Sequence, residues 1–167
     1  FNQLAEAFVV MKQTIAERTD ALQVALSKLE MLVDMGIAMS AEFDLNKLSE
    51  KILAGAKKLT NADGGSLYLA NKDRTHLDFL IVLNDTLGFV QGGTSGNPIT
   101  MRSVPLYDSE GNENHHNVVS HTFHTETTER IPDAYEVGFY DFSGTRAFDA
   151  ENNYRSTSFM TVPLKPR

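Results

Sequence analysis

A hydrophobic repeat of seven residues begins at the first residue of the chain and continues to about residue 39 without a proline. Ten of the twelve positions on its seam are apolar, and the exceptions are Arg18 and Gly36. An isolated helix of this length is only marginally stable in water, and a narrow stripe sustained over several heptads is typical of a coiled coil. We therefore predict that residues 1–39 form a long helix that pairs in parallel with a second copy of the chain; the alternative is a helix that packs along its own domain. Position a holds Phe1, Phe8, Ile15, Leu22, Leu29 and Gly36, and position d holds Leu4, Met11, Arg18, Ala25, Leu32 and Met39.

The composition fits one globular domain with an extension, since 41% of the 167 residues are hydrophobic and 22% are charged. A net charge of −7, with no run of Lys and Arg, argues against nucleic acid as a partner. The absence of Cys excludes disulfides and thiolate chemistry and fits a reducing compartment. Apolar runs such as residues 79–83 are far shorter than the ~20 residues that cross a bilayer. We expect a cytoplasmic segment with neither a membrane span nor a signal peptide.

Apolar spacing after the seam predicts a second helix and then a β-hairpin. Asp44 is the predicted N-cap of this helix, and the turn-forming residues 60–65 end it. Alternating apolar residues then predict two strands, one through Leu67 and Leu69 and the other over residues 77–83. The core-facing side of the second helix is predicted to carry Leu45, Leu48, Ile52, Ala56 and Leu59.

The second half of the chain alternates between loops and short regular segments. Helices followed by antiparallel strands, with a helix inserted between strands, are typical of an α+β fold in which helices pack on an antiparallel sheet. The predicted order is a flexible loop at 92–98, a strand at 99–107, a turn at 108–112, a helix at 117–127, an extended segment at 131–135, a long loop at 137–153 and a strand at 158–164.

Two stretches in this arrangement carry a resemblance to a known family. The residues LTNADGGSLYL at 59–69 and YRSTSFMTVPL at 154–164, with the hairpin between them, resemble a GAF domain, the small-molecule sensing module of signalling proteins. The resemblance covers residues 29–165. Residues 141–163 are most similar to the GAF domains found with cyclic-nucleotide phosphodiesterases, bacterial adenylyl cyclases and HD-type phosphodiesterases. The resemblance implies that residues 40–167 form a regulatory domain, with cyclic AMP or cyclic GMP as candidate ligands. It also implies an output domain elsewhere in the parent chain.

The chain departs from that family at its end. A family member continues after a segment such as Pro163-Leu164 with another strand and a closing helix, which carry a nucleotide-binding motif. This sequence stops at Arg167. We therefore expect a domain truncated at its C-terminus and less stable than a longer chain would be.

The N-terminus is similar to the end of a HAMP linker, the relay found just inside the membrane in bacterial receptors. Leu4-Ala5-Glu6-Ala7-Phe8 followed by Met11 carries this similarity, and Val9 stands where the family usually has Asn. The similarity implies the cytoplasmic part of a membrane-bound receptor.

Catalysis and metal binding have little support in the sequence. His121 and His124 are one helical turn apart, a spacing that could hold a metal, but the absence of Cys and of carboxylates at tight spacing favours a surface or pocket-rim helix. The Gly-rich loop at 92–96 lacks the Lys of a phosphate-binding loop and precedes a strand. We predict neither a catalytic nor a metal site and conclude that the chain is not an enzyme.

A ligand pocket is predicted between the sheet and the segments 117–127 and 133–155, where loops contain aromatic and polar residues. Phe142 or Tyr140 would stack on a base, Arg155 with Thr157 or Ser158 would hold a phosphate, and Asp141 or Asp149 would accept from a base edge. Each residue has a structural alternative: the aromatic side chains complete the core, the Asp residues cap turns, and Arg155 forms a surface salt bridge. The complete predicted site is Asn117, Asp133, Tyr140, Asp141, Phe142, Asp149, Arg155, Thr157 and Ser158.

The function that these features favour is sensing without catalysis. A small ligand would bind the globular domain, and the paired helices of a parallel homodimer would relay the change to an output domain. The alternative is a structural dimerisation and relay domain that binds no ligand.

Overall fold

The computed structural model describes residues 2–165, and the side chains from residue 5 onward. The predicted α+β class is confirmed, and the long N-terminal helix is present. Phe1 and the side chain of Leu4, both in the predicted repeat, lie outside the described residues. The elements in chain order are α1 (Asn2–Ser40), α2 (Leu45–Thr60), β1 (Gly64–Ala70), β2 (His76–Asn84), β3 (Phe89–Gly92), β4 (Val104–Pro105), α3 (Val118–Thr125), β5 (Glu129–Ile131), α4 (Ser143–Asn152) and β6 (Phe159–Thr161).

Two compact units divide the described residues, one up to Ala62 and the other from Asp63. The predicted functional domains, residues 1–39 and 40–167, stay predictions. None of the helices within residues 2–165 combines the length and the apolarity that a membrane-spanning segment needs.

In the first unit, α1 is one continuous helix whose apolar stripe faces solvent. Phe8 is 63% exposed and Leu22 is 62% exposed, and the other seam residues from Met11 to Leu32 that are large and apolar are also exposed. Thr14 and Thr19 bond back to the carbonyls of Val10 and Ile15, so these polar side chains are satisfied within the helix. The stripe therefore has no covering surface within its own unit.

The C-terminal end of α1 differs from the rest because it packs on α2. A Cβ atom added to Gly55 would lie 2.3 Å from Met35 Sδ, so glycine is what allows the close approach of the two helices. Met39, the last predicted position d, is half-buried, and its Cε would lie 3.7 Å from the same added Cβ atom. The free seam thus ends before Met39.

Both ends of α2 have strong local signals. The predicted N-cap is confirmed, because Asp44 Oδ1 accepts the N–H groups of Asn46 and Lys47 at 2.9 and 3.3 Å. Asn61 ends the helix in the left-handed conformation, with φ 53°. The buried face was predicted only in part: Ser49 and Leu53 are its most buried side chains, while Leu45 and Ala56 are exposed.

The second unit begins with the predicted hairpin. β1 and β2 pair antiparallel from Gly64 opposite Asn84 to Ala70 opposite Leu77, with an irregularity between Leu67 and Tyr68. The other edge of β2 pairs with β3 near its end and with β4 near its start.

Strand β3 was not predicted, and the strand predicted at 99–107 is limited to the two residues of β4. Gly92 explains part of the difference. Its φ is +77°, and a Cβ there would lie 2.2 Å from the carbonyl oxygen of Leu80, so the backbone of β3 approaches β2 closely at a residue that the sequence places in a flexible loop.

The remaining elements form a second antiparallel pair, β5 with β6, together with α3 and α4. The predicted helix at 117–127 is confirmed as α3, whereas the long loop predicted at 137–153 contains α4. The buried residues Val118, Ile131, Ala134 and Phe142 form the core here. Half-buried Tyr140 and Phe159 pack against this core, so it lies directly beneath the segment that precedes α4.

Candidate functional site

An open cleft of about 450 Å³ lies beside the segment that joins β5 to α4. Three residues of the predicted site, Tyr140, Asp141 and Phe142, line it. Sequence analysis did not predict the other lining residues, which are His116, Val137, Gly138, Phe139 and Arg146.

Asp141 connects the two sides of this cleft. Its N–H donates to the carbonyl of His116 at 2.7 Å, and its Oδ1 accepts the N–H of Ser143 at 2.8 Å at the start of α4. The hydroxyl and N–H of Ser143, with smaller contributions from the charges of Arg146 and His116, hold the pKa of Asp141 below its usual value. Asp141 therefore presents a charged carboxylate at neutral pH.

The aromatic residues divide between cleft wall and core. Phe139 is 59% exposed, and its ring lies 6.3 Å from that of His116. Phe142 is 4% exposed and packs on Phe159 at 5.3 Å between ring centroids, which favours the core alternative for this residue. Phe139 is thus the aromatic side chain that a planar ligand could reach.

Tyr140 lies between core and cleft and is held by Glu129. Burial raises the pKa of Tyr140 to about 12, and its hydrogen bond to Glu129 acts in the same direction. The hydroxyl therefore stays protonated at neutral pH, and it donates to the Glu129 carboxylate.

Arg146 brings a positive charge to the cleft from the first turn of α4. Its Nη2 donates to the carbonyl of Ala134 at 3.3 Å, and its guanidinium lies 5.5 Å from the ring centroid of Tyr135. These contacts orient the side chain from one side. A planar guanidinium has five N–H donors, so this geometry leaves donors for an anionic group.

Asp149, a predicted ligand residue, is instead a buried anchor. It is 2% exposed and accepts the Tyr135 hydroxyl at 2.8 Å, the Ser156 N–H at 2.7 Å and the Ser156 hydroxyl at 2.8 Å. The hydrogen bond that the Tyr135 hydroxyl donates to this carboxylate is the main reason why the pKa of Tyr135 is raised. The oxygens of Asp149 are satisfied within the protein.

Arg155 and Asp133 form the salt bridge that sequence analysis gave as the alternative. Arg155 Nη2 lies 2.8 Å from Asp133 Oδ2, and the guanidinium sits 4.8 Å from the Tyr135 ring centroid. Tyr135 thus contacts the guanidinium groups of Arg146 and Arg155 and donates to Asp149. We call Tyr135, Asp149, Arg155 and Asp133 the tyrosine network.

Three further predicted residues lie outside the lining of the cleft. Asn117 is the N-cap of α3, where its Oδ1 accepts the N–H groups of Val119 and Ser120. The carbonyl of Thr157 accepts the N–H of Ala134 at 2.8 Å, and Ser158 is exposed. The site as a whole stays a prediction: three of its members line the cleft, three belong to the tyrosine network, and these three belong to neither.

The two stretches that carry the family resemblance meet at one carboxylate. Asp63, at the start of β1, accepts the Tyr154 hydroxyl at 2.7 Å and the Thr86 hydroxyl at 2.8 Å. Residues 91 positions apart in sequence are thereby joined. This contact ties the segment after α4 to the beginning of the first sheet.

Comparisons with known proteins agree with this topology. The chain is similar to the structure of the GAF domain from a phosphoenolpyruvate-protein phosphotransferase of Coxiella burnetii, with 11% identity over 86% of this chain and 72% of that chain and a TM-score of 0.56. The fold is that of a GAF domain. A crystal structure of a methyl-accepting chemotaxis protein, residues 122 to 287, is also similar, with 17% identity over 80% of this chain and 73% of that chain and a TM-score of 0.50. No protein-family model and no curated protein matches the sequence.

Proposed function

We propose that this chain is the regulatory sensor part of a bacterial signalling protein, that its cleft binds a small planar anion such as cyclic AMP or cyclic GMP, and that α1 relays occupancy to an output domain. One observation carries the ligand proposal. The cleft combines the exposed ring of Phe139, the guanidinium of Arg146 and the ionised carboxylate of Asp141 around about 450 Å³. Ligand sites are typically concave and contain a few convergent polar groups.

The three groups suit different parts of such a ligand. Phe139 offers a face on which a purine can stack, Arg146 offers donors to a phosphate, and Asp141 accepts from an exocyclic amino group. Arg146 takes the role first predicted for Arg155, because Arg155 is already paired with Asp133.

Isothermal titration of the 167-residue protein with cyclic AMP and cyclic GMP tests these roles for the cleft residues. We expect Arg146→Ala to weaken binding about 10-fold or more, since a hydrogen bond to a charged group contributes ~1.5–3 kcal/mol. Phe139→Ala should weaken it by a similar factor, since stacking of a base on an aromatic side chain contributes ~1–3 kcal/mol. Arg102→Ala, which removes an exposed Arg outside the cleft lining, is the matched control and should bind as the parent does. Equal affinity in the parent and in Arg146→Ala would contradict the assignment.

The relay part of the proposal rests on the exposed seam of α1. A ligand can change the arrangement of paired helices only if it binds two arrangements with different affinity. We propose a parallel homodimer through residues 1–39 in a cytoplasmic setting. The HAMP-like start supports the further proposal that the chain is the cytoplasmic part of a membrane-bound receptor.

A structural relay domain without a ligand is the second candidate, and the tyrosine network supports it. Asp133 and Arg155 pair with each other, and Asp149 accepts from Tyr135 and Ser156, so these three residues of the predicted site have partners within the protein. Native mass spectrometry of the purified dimer separates the candidates. A retained small molecule of a few hundred daltons supports the sensor, whereas a ligand-free mass together with no heat from either nucleotide at ~1 mM supports the structural domain.

A further inference from the structure

Two histidine side chains meet beside α3, outside the lining of the cleft. His115 Nδ1 and His121 Nδ1 are 3.1 Å apart, and their ring centroids are separated by 5.0 Å. Sequence analysis weighed a different pair, His121 and His124, as possible metal ligands. In the structure, His124 Nε2 instead donates to the carbonyl of Leu106 at 2.7 Å. The two rings that can share a ligand are therefore those of His115 and His121, a pair that helical spacing did not indicate.

The distance between the two nitrogens agrees with that of two imidazoles bound to one metal ion. At a metal–nitrogen distance of ~2.05 Å, octahedral and tetrahedral angles hold two such nitrogens about 2.9 to 3.3 Å apart. A straight N–H···N bond of the observed length would place the ring centroids about 5.4 Å apart. The centroids are closer than that, at 5.0 Å. The ring axes are thus inclined to the line between the nitrogens, as a shared ion requires.

The outer nitrogen of each ring faces a carboxylate. His115 Nε2 lies 3.1 Å from Glu113 Oε2, and His121 Nε2 lies 3.7 Å from Glu129 Oε1. Histidines that bind metal ions almost always donate their second N–H to a carboxylate, a carbonyl or water. When Nε2 is the donor of each neutral ring, both Nδ1 atoms present lone pairs. Two lone pairs at this distance need a cation between them, and a divalent metal ion satisfies both.

Water would supply the rest of the coordination shell. Within residues 2–165, no three or more Asp, Glu or His side chains are arranged to hold a metal ion, so the protein contributes two ligands here. Imidazole nitrogen suits Zn²⁺, Ni²⁺ and Cu²⁺, whereas Mg²⁺ and Ca²⁺ prefer oxygen ligands. The side chains of His115 and His121 are 40% and 20% exposed, so an ion and its water can reach them from solvent.

We propose that His115 and His121 bind one divalent transition-metal ion, such as Zn²⁺, through their Nδ1 atoms, with Glu113 and Glu129 orienting the rings. Without the metal, one proton shared by the two Nδ1 atoms takes its place, and binding of the ion releases that proton. The ring of His121 lies 5.5 Å from that of Tyr140, so the site adjoins the cleft. It does not depend on the ligand proposed for the cleft.

Isothermal titration calorimetry of the untagged chain with Zn²⁺ and Ni²⁺ at neutral pH tests the site. We expect one ion per chain with a dissociation constant of about 1–100 µM, because two protein ligands bind more weakly than the four of a structural zinc site. Mg²⁺ should give no heat. His115→Asn and His121→Asn each remove one of the two ligands, and each should weaken Zn²⁺ binding at least about 10-fold.

His76→Asn is the matched control, because His76 is an exposed residue at the start of β2 whose ring contacts Thr75. This variant should bind Zn²⁺ as the parent does. The proposal is wrong if the parent binds no Zn²⁺ at about 1 mM. It is also wrong if His115→Asn and His121→Asn bind Zn²⁺ with the affinity of the parent.

Electron paramagnetic resonance of Cu²⁺ bound to the unaltered chain gives a readout that does not depend on how a variant folds. Imidazole is a preferred ligand of Cu²⁺. We expect the complex with one ion per chain to show coupling to two imidazole nitrogens. Coupling to a single imidazole, or to none, would overturn the proposal.

Discussion

The seam of α1 and the tyrosine network differ in how many of their side chains have partners within the chain. Along α1, large apolar groups such as Phe8 and Leu22 are exposed to water. In the network, the buried carboxylate of Asp149 accepts three hydrogen bonds and Arg155 is paired with Asp133. Exposed apolar surface of this extent marks an interaction site, whereas a fully satisfied polar cluster fixes a fold. The first region is therefore where we propose a partner helix, whereas the second has its partners within the chain.

The largest expected effect lies in the network. Asp149→Ala removes a buried acceptor and leaves the Tyr135 hydroxyl, the Ser156 N–H and the Ser156 hydroxyl without it. We expect a loss of ~4 kcal/mol in the free energy of unfolding, measured by urea denaturation. Glu151→Ala, at an exposed position of the same helix, should change it by less than ~0.5 kcal/mol. A loss below ~1 kcal/mol for Asp149→Ala would contradict the anchoring role.

The second effect tests the seam. Leu22→Asp places a charge at a central position a, and because each dimer contains two copies, we expect at least ~3 kcal/mol of lost association, or about 100-fold in the dimer dissociation constant. Sedimentation equilibrium measures this change. Gln23→Asp introduces the same charge one residue away, off the seam, and should leave the dimer intact. A parent chain that sediments as a monomer at tens of micromolar would refute the pairing itself.

The same contrast explains which parts of the fold could be predicted. The helices α1 and α2 and the hairpin have long periodic patterns, and Asp44 is a strong local cap, so the sequence alone was sufficient. The helix α4 was missed because Gly144, Thr145 and Asn152 are poor helix formers. Its stability depends on Asp141 at its start and on the buried bonds of Asp149, which only the folded chain brings together.

The candidate site was predicted in part for a similar reason. Tyr140 and Asp141 stood out as aromatic and polar residues in one presumed loop, and they do line the cleft. Arg146 and His116 carried no local signal, because a guanidinium on a helix or a histidine before one is ordinary in sequence. Arg146 and His116 are brought to one cleft only by the fold, in which the hydrogen bond from Asp141 to the carbonyl of His116 helps to hold the lining together.

The smallest effect, and the one most specific for pairing, is at Arg18. This Arg occupies position d, where a charge is costly in a paired helix unless the side chain reaches solvent or Glu17 of the partner. Leu and Arg have similar helix propensity, so Arg18→Leu should not stabilise an unpaired helix. If α1 pairs, we expect a rise of about 3 °C in the melting temperature that grows with protein concentration. Asp20→Leu, an exposed substitution at position f, should give no such concentration-dependent rise. Equal melting temperatures for the parent and Arg18→Leu at every concentration would mean that position d is not buried between helices, and that the seam of α1 is covered in some other way.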